Sequence, residues 1–215
     1  MRMADSVEKG FGDQEDRRRV LRERGYDVDA MRSRVVECGR PVAGEVLDVG
    51  TGPGRLAILL AKEGGRGGAG VATIEFEGEG IEVARRNARA AGVEDRIRFL
   101  QGDAARLPFP EESFDLVASA NLIHHMTEPA RAVGEMVRVC RPGGRVVVAD
   151  MNPAGLDLLA EVHAEFGGLH ETGPMTVAEA VDTLPARGLG IERWEEGLLV
   201  LFRLTRMPPS GRPGA

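Results

Sequence analysis

Short apolar runs alternate with segments of helical spacing from residue 45 to residue 150, and this alternation predicts the architecture. Glu45–Val49, Val71–Ile74, Ile97–Leu100, Phe114–Ala118 and Arg145–Ala149 read as five strands. Between them, 55–63, 81–91 and 129–139 carry helix formers with apolar positions three and four residues apart. Strands separated by such short helical stretches predict a parallel sheet covered on both faces, and the near-continuous apolar runs at 46–49, 116–118 and 146–149 suit strands buried on both sides. The tail follows another rule. After helical stretches near 156–166 and 177–187, Ile191–Glu195 and Leu198–Thr205 are separated only by Glu196-Gly197, which predicts a β-hairpin. Together these elements predict an α/β, doubly wound, Rossmann-like seven-stranded sheet, mostly parallel with a C-terminal antiparallel hairpin.

Ahead of this region, helix formers dominate from Gln14 to about Glu23 and from Asp27 to about Cys38, with Asp27 as a cap and Gly39 and Pro41 as a stop. Their apolar face is narrow, so 1–43 reads as a helical lid over a main domain at 44–206. Residues 1–13 and the Pro- and Gly-rich 207–215 read as loose or disordered.

The first strand breaks into Gly50-Thr51-Gly52-Pro53-Gly54 before a helix begins at Arg55. A strand, a tight glycine loop and a helix make the opening unit of nucleotide-binding α/β folds, where bare backbone allows unusual angles and close approach to a ligand. The spacing is G-x-G-x-G, one residue shorter than the dinucleotide fingerprint, and no Lys-Ser/Thr pair follows as in a phosphate-binding loop.

Composition narrows the function classes. The chain has 215 residues, a formal charge of −6 and only two cysteines. The acidic balance disfavours a nucleic-acid partner, and the basic cluster Arg17-Arg18-Arg19 reads as a solvated helix face neutralised by Glu15, Asp16 and Glu23. Cys38 and Cys140 form no C-x-x-C pair, which suits a reducing cytoplasm. No apolar run approaches a membrane span, and no signal sequence is evident.

Five motifs in order then carry a resemblance: VLDVGTGPG at 46–54, an acid ending the second strand, QGDAARLPF at 101–109, SFDLVASANLIHH at 113–125 and VCRPGGRVVVADMN at 139–152. Over about 44–205 the chain resembles class I S-adenosylmethionine-dependent methyltransferases, in the small-molecule branch with the menaquinone and ubiquinone methylases. The resemblance implies S-adenosyl-L-methionine as cofactor. Asp48 and Thr51 would then lie beside its amino-acid moiety, with Gly50, Gly52 and Gly54 leaving room for the methionine portion. Glu75 would accept from the ribose hydroxyls, with Glu77 as the alternative register. Phe76 would pack on the adenine, Gly102, Asp103 and Ala104 would meet its edge, and Ala120 and Asn121 would close the site beside the transferring methyl.

His124 and His125 follow the fourth strand, where the family holds the acceptor. They are the candidate catalytic bases, with at most one expected to face the site and a structural helix-capping role as the alternative. His163 and His170 fall in a segment that lines acceptor pockets in the family. A metal held by these histidines is not expected, because their spacing matches no standard zinc pattern. No Asn/Asp-Pro-Pro-Tyr/Phe motif follows the fourth strand. The acceptor is therefore expected to be a small molecule bound between the N-terminal helices, the 121–126 loop and 151–175, with Met31, Met126, Met151 and Met175 as candidate apolar lining.

The alternatives are a regulatory or non-catalytic protein that keeps the cofactor pocket, a protein or tRNA methyltransferase, and an NAD-dependent oxidoreductase. Nothing in the sequence specifies oligomeric state; an isologous homodimer is the default guess.

Overall fold

The structure, a computed structural model, describes residues 15–64, 70–185 and 187–208. The expectations for 1–13 and for 209–215, and the glycines at 65, 67 and 68, lie outside these residues. Helix α1 spans 15–23. It is followed by α2 (Val28–Gly39), β1 (Glu45–Val49), α3 (Arg55–Gly64), β2 (Gly70–Glu75), α4 (Gly78–Ala90), β3 (Ile97–Gln101) and β4 (Phe114–Ala120). Then come α5 (Pro129–Val139), β5 (Cys140–Met151), α6 (Pro153–Glu165), α7 (Val177–Asp182), β6 (Leu189–Glu196) and β7 (Leu199–Arg206).

The strands form one seven-stranded sheet in the order β3-β2-β1-β4-β5-β7-β6. β7 alone runs antiparallel to its neighbours β5 and β6. The chain crosses over between β1 and β4, so loops leaving their carboxyl ends diverge there and open a crevice.

The period of two along each strand divides the core between the two faces. Val46, Leu116, Ala118 and Val147 join α2, α3 and α6 on one side. Leu47, Val117, Val146 and Val148 join α5 and α7 on the other. Burial on both faces favours apolar side chains along the whole strand, which is why these runs do not alternate in polarity.

Asp27 caps α2 as expected, its carboxylate accepting from the amides of Asp29 and Ala30 at 2.9 and 3.0 Å. The helix is more than a lid. Met31, Val35, Val36 and Cys38 are buried in the same cluster as the sheet, and Gly39 lets the backbone approach Leu116 on β4. Four features differ from the sequence reading. α4 starts at Gly78 and α7 stops at Asp182. The expected Pro142-Gly143-Gly144 turn is instead taken up within β5, where the pairing with β4 slips between Phe114 and Leu116 and Gly143 adopts φ 81°. The hairpin turn sits one residue later, at Gly197-Leu198.

Candidate active site

The carboxyl edge of β1 and β2 is held by a buried polar chain. Asp48 is fully buried and accepts from Thr73 Oγ1 at 2.7 Å, and Thr73 in turn shares a hydrogen bond of 2.6 Å with Thr51 Oγ1. The second Asp48 oxygen, Oδ1, is buried with no partner. Burial pushes the Asp48 carboxyl up to about 7, against the opposing pull of the Thr73 hydroxyl and the Arg32 charge.

That shift has a stability consequence. The folded-state value is raised, so protonated Asp48 contributes stability that is fully present below about pH 4 and is lost as pH rises through about 7. Asp48→Asn stays neutral, so its urea midpoint relative to the wild type should climb between about pH 5 and about pH 8. A difference that does not change with pH would show that Asp48 titrates normally.

The three loop glycines do different jobs. Gly50 has φ 85°, and a side chain there would meet Leu122 at 3.0 Å. Gly54 has φ 80° and abuts α4, with Ala84 Cβ at 3.0 Å and Ala84 Cα at 3.1 Å from where a Cβ would stand. Only Gly52, with φ 48°, faces open space. Room for a ligand is therefore confined to Gly52, and the expectation that all three provide it is corrected: Leu122 and Ala84 use the other two. Most loop amides are also spent on closing the turn, Gly50 and Thr51 donating to Ile74 O and Gly54 to Thr51 O.

The Gly52 amide instead donates to Glu75 Oε2 at 2.8 Å, while Glu75 Oε1 accepts from Phe76 N at 2.8 Å. Glu77 is exposed, precedes α4 and makes no side-chain cap. Phe76 is 68% exposed beside them. Gly102 packs its bare Cα against Ile74, where a Cβ would lie 2.7 Å from Cδ1. Asp103 accepts from Ala105 N at 2.8 Å, and Ala104 is buried beneath the turn.

Beyond β4, Ala120 pairs with Ala149, and Asn121 turns the chain with φ 54°, a conformation Asn tolerates better than most residues. Its Oδ1 accepts from the buried Tyr26 hydroxyl at 2.6 Å, and its amide donates to Ala149 O. A short 3₁₀ turn, Ile123–His125, follows.

His124 is buried there. Its amide donates to Asp150 Oδ2 at 3.1 Å, and its Nδ1 lies 2.5 Å from Asp150 Oδ1. This pairing replaces the helix-capping alternative. The other ring nitrogen, Nε2, is buried without a partner.

Both adjacent histidines line one cavity of about 340 Å³, together with Arg17, Arg18, Arg32, Asn121, Met151, His163 and His170. The expectation of at most one is thus corrected. In an extended strand neighbours point to opposite faces, but in a 3₁₀ turn consecutive side chains stand only about 120° apart, and a cavity wide enough can take both. Partial desolvation inside the cavity, reinforced by neighbouring imidazoles, holds His125 and His170 down to about 4. Burial also lowers His163, Arg18 and Arg32.

The cavity lies where the acceptor was expected, between the N-terminal helices, the 121–126 loop and 151–175. The solvated-face reading of Arg17 and Arg18 is overturned, since both enter its wall. Of the four methionines only Met151 lines it, while Met31 fills the core. Tyr26, Arg32 and Asp150 went unassigned in the sequence. Asp150 alone left a trace, as an acid ending an otherwise apolar strand.

The family described as "Methyltransferase domain" matches residues 47–148, which span this loop, both acids and the two histidines. Residues 47–148 are thus similar to a methyltransferase domain. The methyltransferase GfsG of Streptomyces halstedii is 35% identical over 170 residues, covering 79% of this chain and 57% of its own length. A demethylmenaquinone methyltransferase of Thermus thermophilus is 41% identical over 108 residues, covering 50% of this chain and 47% of its own. Among solved structures, the [4+2]-cyclase SpnF superposes with a TM-score of 0.60 at 29% identity, covering 78% of this chain and 58% of that one. The chain thus spans about half to three-fifths of the lengths of these proteins. The matched region carries the glycine loop at its start and contributes His124 and His125 to the cavity. No helix among the described residues is long and apolar enough to cross a membrane.

Proposed function

We propose that this protein transfers a methyl group from S-adenosyl-L-methionine to a small molecule that bears an anionic group. The supporting observation is the Gly52–Glu75 contact at the carboxyl edge of β1 and β2, beside a cavity walled by arginines and histidines. The residues fit the cofactor: Gly52 has open space above it, Asp48 Oδ1 is buried and unpartnered, and Phe76 stands exposed next to Glu75. When bound, S-adenosylmethionine supplies an electrophilic methyl on a cationic sulfur.

The rest is done by the chain. Glu75 holds the ribose and keeps the loop closed through the Gly52 amide. Asp103 accepts from the adenine edge, with the Ala104 amide beside it and Gly102 keeping the turn low against Ile74. Asp48 and Thr51 set the floor near the amino-acid moiety, and Ala120 and Asn121 separate it from the acceptor. Arg17, Arg18 and Arg32 give the cavity a positive wall. A carboxylate or phosphate on the acceptor would be held there, and restricting its approach is the main catalytic contribution of such a site. His124 and His125 line the same cavity, on the side of the acceptor atom. In keeping with free, buried Cys38 and Cys140, we read the setting as cytoplasmic and the partner as a small molecule, not a nucleic acid.

Calorimetric titration with S-adenosylhomocysteine, alongside NADH, tests the cofactor half of this reading. Binding of the former alone is expected, and binding of neither would overturn it. Asp103→Ala should weaken S-adenosylhomocysteine by about 10- to 100-fold, the value of a hydrogen bond to a charged group. Unchanged affinity would move the adenine elsewhere.

A second reading draws on the cyclase among the structural neighbours. In it, the chain keeps the cofactor pocket and uses the arginine-lined cavity without methyl transfer. Labelled methyl appearing on any acidic acceptor would exclude it.

A further inference from the structure

The chain contains four histidines, and all four line the same cavity. Three approach closely: one ring nitrogen from each of His124, His125 and His170 lies within 4.8 Å of the other two. The rings themselves are 4.0 to 5.3 Å apart by centroid. We propose that His124, His125 and His170 form a binding site for a divalent transition-metal ion of the zinc and cobalt class.

Two further observations point to a ligand. His124 Nε2 and His170 Nε2 are both buried without a hydrogen-bond partner, and buried polar atoms are rarely left so. His124 has only Nε2 to offer, because its Nδ1 is held by Asp150 Oδ1 at 2.5 Å. A carboxylate behind a histidine is the arrangement that fixes tautomer and ring orientation in metal sites. Asp150 is itself fixed, accepting also from the amides of His124 and Met151.

The geometry needs little adjustment. Nitrogens around a tetrahedral zinc, each about 2.0–2.1 Å from it, stand roughly 3.3 Å apart. His125 is exposed, and His170 lies outside the helices and strands, so both can draw in toward the fixed His124. Three imidazoles with no carboxylate among them favour zinc, cobalt or nickel over magnesium or calcium, which need oxygen ligands. His163 stands outside the set, its ring 4.7 Å from that of His170.

A three-histidine site leaves a fourth position open to the cavity. A metal there would lower the pKa of an acceptor oxygen, giving His124 and His125 a shared part in place of a lone base. This role rests on the methyltransferase reading; the binding itself does not.

The test is titration of metal-stripped, tag-free full chain with Co²⁺, followed by visible absorption and then displacement with Zn²⁺. Stoichiometric binding with the intense bands of a tetrahedral cobalt centre is expected. His170→Ala and His125→Ala should each weaken it by at least about tenfold, Asp150→Asn by about 10- to 100-fold, and His163→Gln should leave it within about threefold. Circular dichroism confirms that each variant is folded. Absence of cobalt bands at millimolar metal, or equal affinity in wild type, His170→Ala and His125→Ala, would overturn the proposal. S-adenosylhomocysteine titration of the same samples separates the two readings. Cofactor binding without metal binding defeats this site alone, and metal binding without cofactor binding defeats only the methyltransferase function.

Discussion

Glu75→Ala is expected to weaken S-adenosylhomocysteine binding by at least about 100-fold, the largest effect of any single change at the cofactor edge. Two losses combine. In the proposed role the carboxylate accepts from both ribose hydroxyls, and hydrogen bonds to a charged group are worth about 1.5–3 kcal/mol each. Two of them come to about 3–6 kcal/mol, and every 1.4 kcal/mol is about tenfold in affinity. The same side chain also ties down the Gly52 amide at 2.8 Å, so its removal loosens the loop that the ligand must meet. Glu77→Ala is the comparison. Glu77 is exposed and makes no side-chain cap on α4, so its loss should change affinity by less than about threefold, in the range of a surface substitution. Calorimetry on both variants decides between the two acids. A larger effect at Glu77 would assign ribose recognition to it and move the pocket outward by one turn of the chain.

Gly54→Val should be the most destabilising of the loop substitutions, at about 2–6 kcal/mol. Its φ of 80° is one that valine resists, at about 1–3 kcal/mol. The new side chain would also run into the backbone of Ala84 on α4, 3.1 Å from Cα and 3.3 Å from O. Overpacking against atoms that cannot rotate away costs a further 1–3 kcal/mol or so. Domains of this kind have about 5–15 kcal/mol in all, so the variant should unfold at visibly lower urea. Gly52→Val carries the same backbone penalty, about 1–3 kcal/mol, but meets nothing within 4 Å. It should stay folded and lose cofactor affinity, because its methyls would occupy the open space above the loop. Urea midpoints with S-adenosylhomocysteine titrations distinguish the two. Equal stability would mean that α4 does not rest on Gly54, and normal affinity in Gly52→Val would empty the loop of its proposed ligand.

These contrasts mark where sequence and structure part. The alternation of apolar runs with helical spacing was enough for the parallel core and the terminal hairpin, because strands buried on both faces must be continuously apolar and a two-residue link permits only a tight return. The glycine loop and the acid after β2 were legible for a similar reason: their chemistry is local, written in neighbours of the same strand or turn. Even there, only the tertiary packing separated Gly52 from Gly50 and Gly54, since what each bare Cα faces belongs to Leu122 and to Ala84 of other elements.

The cavity proposed to hold the acceptor was less legible because its parts are distant in sequence. Arg17 and Arg18 come from α1, Arg32 from α2, His124 and His125 from a 3₁₀ turn, Asp150 from β5 and His170 from the segment after α6. In the sequence, Arg17 and Arg18 read as a solvated helix face, Arg32 went unassigned, and the histidines read as an irregular spacing. By itself the sequence determined the fold and the glycine loop with Glu75 at the end of the next strand. Only the tertiary structure turned the cavity's wall positive and gathered its imidazoles, because burial and mutual distance, not spacing along the chain, decide what such side chains can bind.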